Sequence, residues 1–242
     1  MPAAIFAGTC AAPARHRLRT DLAWALAGAA LLLAWDGSGL DRPAMHLVGS
    51  AQGFAWRDAW LTSALMHDGG RALAWAIFGL LLVDTLRPLL PGPARGERGR
   101  ALAATLACLV LVPGIKRSSH TSCPWDLAEF GGRAQYVSHW AFGVTDGGGG
   151  HCFPSGHAVA AFAFFAVYFL MRRHRPGFAR AWLAGVLLVG SLFGAAQMLR
   201  GAHYPSHTLW SAWLCWVTCA LVMQWPRLRA ALSPAASPAS PL

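Results

Sequence analysis

Lysine and acidic residues are what this sequence has least of. One lysine, Lys116, stands beside nineteen arginines, and only ten Asp and Glu are spread over 242 residues. Charged residues make up 12% of the chain and hydrophobic ones 55%. That balance excludes an ordinary water-soluble domain and indicates an integral membrane protein. The shortage of acid leaves a net charge of +10. Nucleic-acid binding would need that charge gathered into one patch, whereas the arginines fall in short clusters between apolar runs, so nucleic acid is not an expected partner. Six cysteines are too few and too scattered for a disulfide scaffold.

Long hydrophobic runs are also scarce. Several fall short of the roughly 20 residues that cross a bilayer, and their boundaries come from the basic clusters around them. The runs are Leu22 to Trp35, Ala72 to Leu86, Ala101 to Ile115, Gly156 to Met171, Ala181 to Leu199 and His207 to Met223. They predict an all-α polytopic membrane bundle of six transmembrane helices over residues 15–229. Disordered tails are expected at 1–14, rich in Ala and Pro, and at 230–242, rich in Ser, Pro and Ala. The first run is short enough for a signal peptide, but Trp35-Asp36 is a poor cleavage site, and a retained span is the better reading. Residues 36–71 mix Phe54, Trp56 and Trp60 with Arg57, Asp58 and His67 and read as an interfacial segment and loop. Asp84 is expected to pair with Arg87 one turn on.

Charge then orients the bundle. With both termini cytoplasmic, thirteen basic residues lie in the inside segments and seven outside, as the excess of Arg and Lys in cytoplasmic loops requires. On this topology three separate stretches reach the outer face: Lys116 to Pro124, Pro154 to His157, and Arg200 to His207. Pro154-Ser155-Gly156-His157 has the residues of a helix entry, with Ser155 a cap and Gly156 open to close approach. Free N–H groups at such a start suit a phosphate. Lys116, Arg117 and Arg200 would add positive charge, and His157 and His203 would flank the bound anion.

These stretches resemble the signatures of the type 2 phosphatidic acid phosphatase superfamily: a lysine followed after six residues by Arg-Pro, then Pro-Ser-Gly-His, then a Ser-Arg pair followed by a histidine and an aspartate. Here they read Lys116 to Cys123-Pro124, Pro154 to His157, and Ala196-Gln197 to His203 and His207. The resemblance implies a membrane hydrolase acting on a lipid phosphate monoester or diphosphate, with no metal or cofactor. His203 would be the nucleophile that forms a phosphohistidine, and His157 the acid that protonates the leaving oxygen. Lys116, Ser155 and Gly156 would stabilise the phosphoryl oxygens. In a bacterium the site would face the periplasm from the inner membrane.

The chain departs from the signatures at three positions. Cys123 and Gln197 stand where arginines are expected, and His207 stands where the aspartate partner of the nucleophile is expected. Arg117 and Arg200 are candidate substitutes for the arginines, and His207 or Asp126 for the orienting group. Cys123 and Cys152 would either form a disulfide or remain two free thiols. Cys108, Cys215 and Cys219 read as packing residues, and His120, His139 and His151 as exposed loop histidines. Competing readings are a metal-dependent hydrolase using His203 and His207 with His157 or His120, a phosphotransferase sharing the phosphohistidine, and a lipid-binding or transporting relative without the chemistry. Oligomeric state has no signal in the sequence.

Overall fold

Apolar runs bounded by Arg, Pro and Gly fold into helices because a backbone surrounded by hydrocarbon must satisfy every N–H and C=O within its own segment. The computed structural model describes residues 12–89 and 91–232, and among these the regular structure is helical. Helix α1 is Ala12–Ser38, α2 Asp41–His46, α3 Gly70–Leu86, α4 Arg95–Ser118, α5 Val159–Phe162, α6 Phe165–Met171, α7 Pro176–Leu199 and α8 Pro205–Leu232. The tails expected at 1–14 and 230–242 lie mostly outside the described residues, but Ala12 to Ala14 already belong to α1, and Ala230 to Leu232 to α8.

Four segments are long and apolar enough to cross a membrane: Arg17–Ser38, Leu61–Leu86, Arg95–Ser118 and Pro176–Leu199. The stretch α5–α6, Val159–Met171, is shorter, and α8 is not among the four. Both pack inside the bundle, α6 against α4, α7 and α8, and α8 against α1, α4 and α6. Helices enclosed by protein need less lipid-facing hydropathy, and α8 accordingly buries Thr208, Ser211 and Gln224. The second segment corrects the sequence boundary. A π-helical stretch, Leu61–Gly69, runs directly into α3, so the last part of the expected interfacial loop is helix.

Close packing in hydrocarbon depends on small residues where helices meet. Gly70 accepts the Phe193 ring, whose Cζ would stand 2.6 Å from any Cβ added there. Phe193 in turn packs against His157, with ring centroids 5.1 Å apart. Cys108, Cys215 and Cys219 are fully buried in the core, with the Cys108 and Cys219 sulfurs 3.7 Å apart.

Two polar clusters mark opposite ends of the bundle. At one end Arg172 forms a bidentate pair with Asp21 at 2.7 Å for both contacts, and Gln224 donates to the same carboxylate. Asp84 there pairs with Arg98, not with the expected Arg87. Sequence proximity favoured Arg87, but the chain leaves α3 at that residue in an extended conformation, while α4 returns Arg98 to the Asp84 carboxylate. At the other end Asp36 accepts from the Trp140 and Trp210 indoles at 2.9 and 2.8 Å, with His139 Nε2 at 3.2 Å. Asp41 accepts the Ser206 backbone N–H at 3.1 Å and the Ser206 hydroxyl, fixing the start of α8. His139, its side chain buried, is therefore a partner of Asp36 and not an exposed loop residue, whereas His120 and His151 are exposed as expected.

Candidate active site

The chain leaves α7 through Gly201, whose φ of +74° lies in the left-handed region that glycine adopts without strain. The backbone N–H groups of Ala202 and His203 then donate to the Gln197 carbonyl at 2.8 and 3.3 Å. This cap turns His203 back toward the bundle axis before Pro205 opens α8. His203 is buried. Its Nδ1 lies 3.4 Å from His207 Nδ1 and 3.6 Å from the Cys152 sulfur. A hydrogen bond between two Nδ1 atoms needs one proton; the tautomer with that proton on His203 has its Nε2 as the free lone pair. Burial, and then the nearby Lys116 charge, hold His203 well below the ordinary histidine range. That shift favours the neutral ring at pH 7.

A cavity of about 560 Å³ lies against this histidine. His157, Lys116, Gly156, Arg200 and Cys123 all line it with His203. Lys116 reaches over Gly156, where an added Cβ would meet its Cδ at 3.5 Å. Arg200 also donates from Nε to the Arg57 carbonyl at 2.9 Å. Apolar side chains also line the cavity, among them Ala74, Trp75, Phe78, Leu109 and Phe164. Some expected residues are elsewhere. Arg117 is exposed and is not among the lining residues, because one step along α4 rotates a side chain by about 100°. The Asp126 carboxylate accepts the Cys123 N–H at 3.3 Å, closing its own 3-10 turn, so His207 is the group that contacts His203.

The helix entry also differs from the expectation. α5 starts only at Val159, and Ser155 makes no side-chain cap. The Ser155 N–H donates to the His207 carbonyl at 3.1 Å, and its buried hydroxyl has no partner. Phosphate binding through the Ser155 backbone therefore does not fit. Lys116, Arg71 and Arg200 instead bring positive charge to the cavity lining. Cys123 and Cys152 form a disulfide with a Cα–Cα distance of 5.1 Å, tying the first stretch to the second.

His67, Arg71, Trp125 and Gln197 are cavity residues that the sequence reading did not assign. His67 and Arg71 are four apart, a spacing that puts both on one helix face once residue 61 onward is taken as helix. His67 stacks on His157 with centroids 4.5 Å apart, and His157 Nε2 lies 3.0 Å from the Met66 carbonyl, to which it donates. Burial pushes His157 down to about 4, and the neighbouring His67 and Arg200 charges act in the same direction. Gln197 presents a buried Nε2 donor without a partner. Gln197→Leu is expected to lower kcat/KM by about 10- to 100-fold, the value of one hydrogen bond to a charged group. Steady-state kinetics on a phosphorylated substrate would measure this.

The geometry that unites the three stretches coincides with the span matched by a family comparison: the PAP2 superfamily over residues 99–231. The chain belongs to the PAP2 superfamily. Membership makes it a phosphatase-type membrane enzyme, and the matched span includes Lys116, His157, His203 and His207. Comparison with curated proteins and with solved structures returned no match.

Proposed function

We propose that this PAP2 protein hydrolyses a lipid phosphate monoester or diphosphate through a phosphohistidine on His203, at the outer face of a bacterial inner membrane. The observation that carries this reading is the cavity whose lining combines His157, His203, Lys116 and Arg200 with apolar side chains such as Trp75, Phe78 and Phe164. A charged headgroup and a hydrocarbon chain each find a matching surface there. Support for the outer face comes from Arg172, Arg98 and their partners clustering at the end of the bundle away from the cavity, given that arginine favours the cytoplasmic side.

In the proposed reaction His203 Nε2 forms a bond to phosphorus as the bond to the leaving oxygen breaks, and His157 gives its proton to that oxygen. Water then attacks phosphorus, His157 takes a proton from it, and the N–P bond breaks to release phosphate. Lys116, Arg71 and Arg200 stabilise the charge on the phosphoryl oxygens. His207 holds the His203 ring through Nδ1.

The position of His157 sets the pH dependence. An acid must be protonated to act, and in the free site its pKa of about 4 leaves it neutral at pH 7. A bound phosphate anion favours the imidazolium and raises that pKa. The alkaline limb of kcat, which reports the complex, is therefore expected at higher pH than that of kcat/KM, which reports the free enzyme. Profiles measured for wild type and His157→Gln test this, and coincident limbs would remove His157 from the acid role.

The reading as a whole is tested with purified protein in detergent. Candidate substrates are phosphatidic acid, phosphatidylglycerol phosphate, an isoprenoid diphosphate and the phosphorylated glucosamine of lipid A, with free phosphate as the readout. An alcohol acceptor added to the assay separates transfer from hydrolysis. No release and no transfer from any of them by folded protein would favour the lipid-binding reading.

A further inference from the structure

The sulfur of Cys152 and one ring nitrogen each of His203 and His207 all lie within 4.8 Å of one another. In a tetrahedral zinc site with Zn–N bonds near 2.05 Å and Zn–S bonds near 2.3 Å, two nitrogens stand about 3.4 Å apart, and sulfur and nitrogen about 3.6 Å apart. The His203–His207 separation is 3.4 Å and the Cys152–His203 separation 3.6 Å. All three residues are buried, and His207 Nε2 has no hydrogen-bond partner. One thing occupies the third ligand: the Cys152 sulfur is bonded to Cys123.

We propose that reducing the Cys123–Cys152 bridge turns the back of the active site into a Zn²⁺ site, made by Cys152 Sγ, His203 Nδ1 and His207 Nδ1, and that the bound ion switches the enzyme off. A dithiol supplies the two electrons and two protons that convert the bridge to two thiols, and itself becomes a disulfide. The Cys152 thiol then gives its proton to solvent as sulfur binds the ion, and a water completes the tetrahedron. The Cys152 backbone is held independently of the bridge, its N–H donating to the Thr121 carbonyl at 2.9 Å, so the sulfur keeps its place when the bridge opens. Cys123 lines the cavity, which gives the ion a path once that side chain is released.

Inhibition follows from imidazole chemistry. A neutral ring bound to metal through Nδ1 carries its proton on Nε2, so the lone pair that would attack phosphorus is gone. This inhibitory half rests on His203 being the nucleophile. The metal site itself does not.

Full-length Cys123→Ser in detergent frees the Cys152 thiol without a reductant. With Co²⁺ as the probe it is expected to bind one ion per chain and to show a thiolate-to-cobalt charge-transfer band. The band should be absent in Cys123→Ser/Cys152→Ser and weakened in Cys123→Ser/His207→Ala. Oxidised wild type should lack it and gain it after dithiol treatment and removal of the dithiol, a second route should Cys123→Ser fold poorly. No band in helical Cys123→Ser or in reduced wild type would overturn the site. A band that survives in the double cysteine variant would also overturn it, assigning the ion to one or more of the four remaining cysteines. One equivalent of Zn²⁺ should lower phosphate release by Cys123→Ser at least tenfold, reversibly with a chelator, and unchanged release would overturn the inhibitory half. If wild type releases no phosphate at all, the functional reading fails while the cobalt result still decides the site.

Discussion

His203→Ala is expected to lower phosphate release by about 10⁴-fold or more, since removing a nucleophile leaves only binding and charge stabilisation. The fold should survive, because the turn that carries residue 203 is fixed by backbone groups: the Gln197 carbonyl and the left-handed Gly201. Circular dichroism should therefore match wild type while activity is lost. A second readout separates a nucleophile from a merely structural histidine. Wild type quenched during turnover of a ³²P-labelled substrate should retain acid-labile, base-stable label on the protein, and His203→Ala should not. His207→Ala should keep the label but acquire it more slowly, because the Nδ1 contact at 3.4 Å orients the ring without touching phosphorus. Label at wild-type levels in His203→Ala would remove the phosphohistidine from this enzyme.

The second large effect concerns stability. Arg98 is 1% exposed and Asp84 6%, and their ion pair joins α3 to α4 at the end of the bundle away from the cavity. Arg98 also donates from Nε to the Pro93 carbonyl at 3.1 Å, and the Asp84 carboxylate accepts the Leu89 N–H at 2.8 Å. Asp84→Leu leaves a buried guanidinium without its carboxylate and is expected to cost about 3–5 kcal/mol. Asp84→Leu/Arg98→Leu removes both charges and should recover much of that loss, because two paired charges cost desolvation that a leucine pair does not. Denaturation in detergent followed by circular dichroism measures both variants. Equal destabilisation by the single and double changes would show that the pair is not what holds this corner. Arg87→Leu, at the residue that proximity alone suggested, should be nearly silent.

Much of the site was legible because its parts are local. Pro154-Ser155-Gly156-His157 and the run from Gln197 to His207 each lie within a few residues, and both chemistry-bearing histidines line the cavity together. What was misread depended on direction in space. Lys116 and Arg117 are adjacent in sequence, yet a helix sends neighbouring side chains to different faces, and only Lys116 reaches the cavity. Ser155 has the residue type of a helix cap, but the His207 carbonyl, 52 positions away in the chain, takes its N–H first. Arg71 and His67 were not assigned to the site because the aromatic and charged residues before them broke the apolar run, and hydropathy cannot see that a π-helical stretch continues into α3.

Composition and charge placement by themselves determined that this chain is helical and membrane-embedded, because a backbone in hydrocarbon has few other options. They also brought the reactive residues to helix ends, where short signatures remain readable. Tertiary structure alone decided which cations line the cavity, which carboxylate neutralises Arg98, and that the Cys152 sulfur lies against His203. Those outcomes depend on helix rotation and on contacts between distant segments, and linear spacing encodes neither.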